Sequence, residues 1–315
     1  MNSKIIDNSY TVDPEAIETY ARDGVVKIEN PFDPYWIDGL VEVYERIMRD
    51  AERGETNHKI HRTPTGMTGL QNVILREPFY KKWAMESPVS QIVGEVLQSS
   101  TARFYFDNFF IKEGNDPGAA TMLHHDVAAF GFKGTQLPSF WVALGDVEED
   151  NAPLICALGS HKDTSFMWRS PIQKPGLPLL DGYREPSGIP AYIEENGFEI
   201  KSFPAKKGDV VIFSPYVIHG SKPRVHGAGK RTGFSSRWFG DDVRWEPTIY
   251  NEMEASMHSH PIPYGARPSD DMFPIIWSKD EGRVAAKTGK FTTLITLEPK
   301  DRPIEGVAQS MGRRS

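Results

Sequence analysis

Two short motifs far apart in this chain carry residues that have use for one another only if the fold brings them together. Leu123-His124-His125-Asp126 lies before the middle, and Val217-Ile218-His219-Gly220-Ser221 lies well downstream, with Arg231 beyond it. In extended backbone alternate side chains share a face, so the spacing predicts His124 and Asp126 on one side and His125 on the other. A later strand can then add His219 to the same side. Two imidazoles and one carboxylate gathered on one face suit Fe(II) with its remaining positions open. Arg231 suits a second task, because its planar fork can hold the carboxylate of an organic acid bound to the same metal.

A lone His-x-acid triplet is weak evidence. With nine His and 43 acidic residues in 315, chance supplies on the order of one. His161-Lys162-Asp163 is such a triplet, but it follows the turn-like Leu158-Gly159-Ser160. Besides His219 its later partners are His226, His258 and His260, none followed by an arginine in a strand-like segment. His124 instead lies between two strand candidates, Arg103 to Lys112 and Ser139 to Leu144.

From residue 102 onward, short β-prone runs alternate with turn residues, which predicts a mainly β fold with flanking helices, a double-stranded β-helix or jelly roll. Upstream, Asp13-Pro14 opens a helix that Gly24 ends, and Val25 to Ile28 suits a strand. A second helix starts at Asp33-Pro34, with Trp36, Leu40, Val43 and Ile47 at helical spacing until Gly54. Residues 55–78 read as a long polar loop with Gly66 and Gly69, and Ser87-Pro88 opens a third helix. Segment 163–200, with Pro171, Pro175, Pro178, Pro186 and Pro190, reads as an insertion bordering the mouth of the site. Residues 244–315 read as helices and loops outside the barrel. The expectation is one domain over 1–315: a helical flank (1–100), the jelly-roll core (101–245) and a C-terminal flank (246–315).

At these residues the chain resembles the phytanoyl-CoA dioxygenase family of Fe(II)/2-oxoglutarate oxygenases. The similar stretches run in order: Phe109-Phe110-Ile111-Lys112, the His124 triplet, Phe140 to Val147, Asn151-Ala152-Pro153-Leu154, Leu158 to Lys162, Gly208 to Phe213, His219-Gly220-Ser221, and Ser236 to Asp242. The resemblance implies that His124, Asp126 and His219 ligate iron and that Arg231 binds the far carboxylate of 2-oxoglutarate. It places Ser221, Asn108, Trp141 and His125 as further cosubstrate contacts. His125 stands where the family commonly has Gln, and Asn151-Ala152-Pro153 replaces the usual Asn-Gly-Pro. Asp126 argues against the related halogenases, which need that position vacant for halide. Arg237, six residues on and on the same strand face, is a competing anchor.

The implied reaction consumes O2 and 2-oxoglutarate, releases succinate and CO2, and most simply hydroxylates a small-molecule or acyl substrate. Desaturation, epimerisation or cyclisation are open to the same chemistry. The alternatives are a cupin-like metal protein that binds a small molecule without oxidising it, or an oxygenase-like partner subunit. The apolar loop residues Phe130, Phe132 and Trp168 suit an acyl chain or a ring system. His58, His61, Arg62, Arg169, Lys174 and Arg184 form either a cationic rim for an anionic substrate or ordinary loop charges.

A net charge of −7 gives no support for a nucleic-acid surface. The sequence has no apolar run long enough to span a membrane, and its start lacks a signal-peptide pattern, so a cytoplasmic location is expected. The lone Cys156 lies in an apolar stretch and reads as core filling.

Overall fold

The computed structural model describes residues 8–284 apart from 63–66, 114–119, 171–175, 226–228, 252–261 and 271. His226, His258, His260, Gly66, Pro171, Lys174, Pro175 and the tail from 285 lie outside the described residues.

The helical flank follows its capping residues. Asp13 accepts the Glu15 N–H at 2.9 Å in front of helix Pro14–Asp23, and Gly24, at φ 76°, closes it by donating its N–H to Tyr20. The next helix, Pro34–Glu52, is capped by Asp33 and buries Trp36, Ile37, Leu40, Tyr44, Ile47 and Met48. Tyr44 takes the seam position expected of Val43, which is only partly buried. Two further helices, Pro78–Glu86 and Val89–Val96, follow. The first of them is missed by the sequence reading because its apolar and aromatic residues follow the polar stretch without a capping signal.

The large sheet runs in the order Val25–Ile28, Val210–Phe213, Ser139–Ala143, Arg231–Phe239, Thr101–Lys112, Ile275–Ser278, Gly282–Arg283, with all its pairings antiparallel. The long strand Thr101–Lys112 forks on its second side. Its start pairs with Ile275–Ser278 and its end with Met67–Gln71, which in turn pairs with Ile60–Arg62. The small sheet is Ile200–Phe203, Leu154–Ala157, His219–Ser221. A single bridge extends it: His124 and His219 exchange backbone hydrogen bonds at 2.9 and 3.1 Å.

Three expectations need correction. Residues 55–78 are not one continuous loop: two strands, the second paired to Thr101–Lys112, and a short 3-10 turn, Val73–Leu75, lie within them. Segment 163–200 carries a parallel pair, Met167–Trp168 with Tyr183–Arg184, and a helix, Ile189–Asn196. In the C-terminal flank, Ile275–Ser278 joins the main sheet rather than packing outside it. Short elements of two to five residues lack a full period, so pattern reading passes over them.

Both faces of the large sheet are covered, and each packs apolar side chains against its cover. One face presents Phe104, Phe109, Ile111, Phe140, Phe234 and Trp238 to Trp36, Leu40, Tyr80 and Trp83 of the helices. The other presents Trp141, Ala143, Val211 and Phe213 to Cys156 and Phe203 of the small sheet and to Val217, which precedes its last strand. Cys156 is fully buried there, and burial pushes its thiol far above the usual range, as expected of a core residue. Between the sheets lies the barrel interior.

Candidate metal and cosubstrate site

Register fixes which side chains look into the barrel. Directly opposed residues of antiparallel strands share a face. Arg231 lies opposite Lys112, Gly233 opposite Phe110 and Ala143, Ser235 opposite Asn108 and Trp141, and Arg237 opposite Phe106 and Ser139. Asn108, Trp141, Arg231 and Arg237 therefore line one interior strip, whereas Asp107, Phe109 and Ile111 face the helices.

His124 and His219 reach the same space from the small sheet. Gly220 allows this approach, since a Cβ there would sit 2.6 Å from the Thr121 carbonyl oxygen. Asp126 does not continue a strand as the alternation argument supposed. It precedes a 3-10 turn, Val127–Ala129, which bends the chain after the bridge and turns the carboxylate toward the two rings. The outcome matches the expectation by another route. Ligand atoms of His124, Asp126 and His219 all lie within 4.8 Å of one another, with Asp126 Oδ1 3.6 Å from His124 Nε2 and 3.7 Å from His219 Nε2. Among the described residues this is the one group of three such side chains spaced to hold a metal ion.

Neighbouring groups tune each ligand. His124 Nδ1 donates to the Met122 carbonyl at 2.8 Å, and His219 Nδ1 to the Val217 carbonyl at 3.0 Å. With the proton held on Nδ1, each Nε2 offers its lone pair toward Asp126 Oδ1. Burial, and then the nearby His124, push His219 down to about 4, so its ring is neutral at pH 7. Asp126 Oδ2 accepts from the Ser139 hydroxyl and, at 3.2 Å, from Arg237 Nη2. Burial works against the Asp126 charge, yet Arg237, with His219 and His124, holds its carboxyl well below the usual carboxylate range. Arg237 is thus committed to Asp126 and is not the competing anchor.

Arg231 is buried, stacks on Trp141 with its guanidinium carbon 4.8 Å from the ring centroid, and has no carboxylate partner among the described residues. Its Nε and the Trp141 Nε1 are buried without a hydrogen-bond partner. Gly233 makes room for the indole, since a Cβ there would fall 2.1 Å from Trp141 Nε1. A buried cation and an indole N–H left unpaired fit an anionic ligand between Arg231 and the metal-ligand set. Asn108 and Ser221 are also buried, and Ser221 accepts from Lys112 Nζ at 2.6 Å and from the Thr121 N–H at 2.8 Å.

His125 is turned away from the ligands. Its Nδ1 accepts from the Trp168 N–H at 3.5 Å, its ring faces Tyr216, and burial pushes it down to about 3. The inserted segment therefore buttresses the back of the ligand loop. Phe130, Phe132 and Trp168, read above as substrate-contacting loop residues, are 5%, 0% and 3% exposed and belong to the core. The cationic rim is likewise undone at His58, which is buried against Glu77 at 2.9 Å, and at Arg169, which pairs with Glu185. The decoy His161 packs against the end of the first helix, beside Ala21. The sequence reading also missed Lys112 and Ser139, since neither belongs to a ligand-like spacing.

Comparisons with known proteins bear on the family and the fold. The family model Phytanoyl-CoA dioxygenase (PhyH) matches residues 20–232. An ectoine dioxygenase from Bordetella bronchiseptica is 24% identical over 265 residues, covering 81% of this chain and 79% of that protein. Two solved structures share the fold. The non-heme alpha ketoglutarate dependent carbocyclase SnoK from nogalamycin biosynthesis has TM-score 0.64 and 15% identity, covering 84% of this chain and 96% of its own. The epimerase SnoN in complex with Fe3+, alpha ketoglutarate and nogalamycin RO has TM-score 0.63 and 20% identity, covering 84% and 99%. No helix among the described residues is long and apolar enough to cross a membrane. With the family model matching more than half its length, the chain belongs to the phytanoyl-CoA dioxygenase family of Fe(II)/2-oxoglutarate-dependent oxygenases.

Proposed function

We propose that His124, Asp126 and His219 hold Fe(II), that Arg231 anchors the distal carboxylate of 2-oxoglutarate, and that the enzyme hydroxylates a small molecule. The observation that carries this is the convergence of three tuned ligands with a buried, unpaired arginine inside one barrel. When bound, the iron and 2-oxoglutarate supply the activation of O2 and the oxidative decarboxylation that yields succinate and CO2.

The chain's own residues bind, orient and exclude. The carbonyls of Met122 and Val217 fix the tautomers of the two imidazoles. Ser139 and Arg237 occupy Asp126 Oδ2 and leave Oδ1 for the metal. Arg231, held over the Trp141 ring, offers its fork to a carboxylate at a buried position, where a charge-assisted pair is strong. Asn108, from the central strand, lines the same strip. Substrate then meets the partly exposed Phe106 and Phe110 on that strand. We take the chain as one domain acting on a soluble substrate in the cytoplasm. A carbocyclase and an epimerase share the fold, so the oxidative outcome follows from where the substrate is held.

The test is anaerobic titration of the apoprotein with Fe(II) and 2-oxoglutarate, following the visible metal-to-keto charge-transfer band. The band should form in the wild type, vanish in His219→Ala and weaken in Arg231→Ala. Its absence from intact, iron-loaded wild-type protein would overturn the oxygenase reading and leave a metal-binding protein without oxidation.

A further inference from the structure

The interior strip changes character toward one edge of the large sheet. Gly233, Phe110, Gly69 and His61 form one cross-strand row, and Ser235, Asn108 and Gln71 form the next, all on the interior face. Gly233, Ser235 and Asn108 are buried, Phe110 and Gly69 are half-buried, and Gln71 and His61 are exposed. The barrel therefore opens toward the strand pair Ile60–Arg62 and Met67–Gln71. The inner end of the same surface reaches the metal-ligand set, because Phe106 lies opposite Arg237, which holds Asp126. The foot of the strand pair is fixed: the Asp107 carboxylate accepts the N–H groups of Val73 and Ile74 at 2.8 and 2.9 Å, and its carbonyl accepts that of Asn72 at 2.9 Å.

Gly69 is the odd residue of this wall. A glycine inside a strand weakens it, and typically marks a bulge, a sharp bend or a close approach. The register through Gly69 is unbroken on both sides and its φ is not left-handed. Among the described residues nothing presses on it, since a Cβ there would meet only the Phe109 carbonyl oxygen, at 3.8 Å. Gly220 and Gly233, by contrast, make room for the protein's own atoms at 2.6 and 2.1 Å. Close approach by a ligand is the reason that remains.

We propose that Gly69 is the floor of a substrate slot walled by His61 and Phe110, and that the slot takes a neutral molecule by a flat aromatic or conjugated ring. The inference rests on the 2-oxoglutarate oxygenase reading above and names a substrate class for it. Neighbouring strands lie about 4.8 Å apart, so the two walls stand roughly 10 Å apart at the backbone. A flat ring in contact with both needs only about 3.5 Å on each side, whereas a saturated ring is thicker. With no side chain on Gly69, the ring can lie between the walls and against the backbone. Gln71 and Asn108 bring amides to the neighbouring row, within the same face, for the polar edge of such a molecule. None of His61, Gly69, Gln71, Asn108 and Phe110 is a carboxylate, lysine or arginine, so these residues suit an uncharged ligand.

The experiment is calorimetric titration of the full chain, loaded with Ni(II) and then 2-oxoglutarate so that no turnover is involved. The probes are 2-naphthol, its saturated counterpart 2-decalol, and decanoate as a charged acyl chain. The wild type should bind 2-naphthol about 10-fold more tightly than either of the others, the yield of two ring contacts. Gly69→Val should fill the slot and weaken 2-naphthol about 10-fold or more. Its melting temperature should stay at or above that of the wild type, because valine favours a strand, and its 2-oxoglutarate affinity should not change. His61→Ala, at an exposed position, should weaken 2-naphthol about 2- to 10-fold. A lower melting temperature for Gly69→Val would show that the glycine serves the fold and would overturn the proposal. So would 2-naphthol binding that neither substitution alters, that is no tighter than binding of 2-decalol or decanoate, or that is absent from a wild type able to bind 2-oxoglutarate. A wild type that fails to bind 2-oxoglutarate would instead sink the cosubstrate reading on which the slot rests, a result seen before any probe is added.

Discussion

Arg237 Nη2 lies 3.2 Å from Asp126 Oδ2, on the side of the carboxylate that faces away from the two histidines. The Ser139 hydroxyl takes the same oxygen, and Arg237 Nη1 is tied to Ser235 Oγ. The Asp126 carboxylate is held by two neighbours on strands of the large sheet, the second of them braced by Ser235, while its histidine partners come from the small sheet. Arg237→Gln should therefore weaken metal binding roughly 10- to 100-fold, the usual consequence of losing a group that orients a ligand. Competitive titration with Co(II) and a chromophoric chelator measures it. Unchanged affinity would mean that Ser139 alone fixes the carboxylate.

Gly233 and Trp141 make a second test of the interior. A Cβ on Gly233 would overlap the indole at 2.1 Å, and Arg231 lies against that same ring. Gly233→Ala should displace Trp141, cost about 1–3 kcal/mol from overpacking, and weaken 2-oxoglutarate binding through Arg231. Thermal melting and the intensity of tryptophan fluorescence on adding 2-oxoglutarate report the two effects separately. A variant that melts like the wild type would show that the ring has another place to go.

The candidate site was legible because the chemistry it would serve calls for unusual residues at a fixed spacing: His124, Asp126, His219 and Arg231 stand out in sequence before any fold is known. The jelly roll was legible from the recurrence of short apolar runs. What was hidden is what only register reveals. Lys112 looks like the end of a strand until it is seen opposite Arg231, and Ser139 looks like an ordinary strand start until Asp126 turns toward it. Phe130, Phe132 and Trp168 misled for the opposite reason. Aromatic residues in loop-like sequence invite a binding role, yet here they fill the core beneath the ligand loop.

The buried network at the far end of the second helix makes a test of the supposed cationic rim. Glu77 accepts from His58 at 2.9 Å and pairs with Arg46, across a polar cavity of about 430 Å³ lined also by Asp50, Glu55 and Arg76. These charges are matched to one another rather than offered to a substrate. Glu77→Gln should lower stability by about 1–3 kcal/mol, since it weakens a charge-assisted contact to a buried ring. Metal and 2-oxoglutarate affinities should stay as in the wild type. A changed affinity in calorimetry, with the stability intact, would return His58 to the active site.

Lys133 provides the pH test. Its ammonium is buried, donates to the carbonyls of Val127 and Phe130, and so staples the turn that follows Asp126. Burial pushes it down from 10.5 to about 7. In the unfolded chain the lysine stays protonated up to its ordinary value, so between about pH 7 and 10.5 the unfolded state binds more protons than the folded one. This group therefore penalises folding most below pH 7 and progressively less as pH rises through that window. Lys133→Met removes the titration. Urea unfolding midpoints of the two proteins, taken at several pH values across the window, should move in favour of the wild type as pH rises. Parallel midpoints would mean that the two carbonyls compensate its burial fully and that Lys133 keeps its proton in the folded protein.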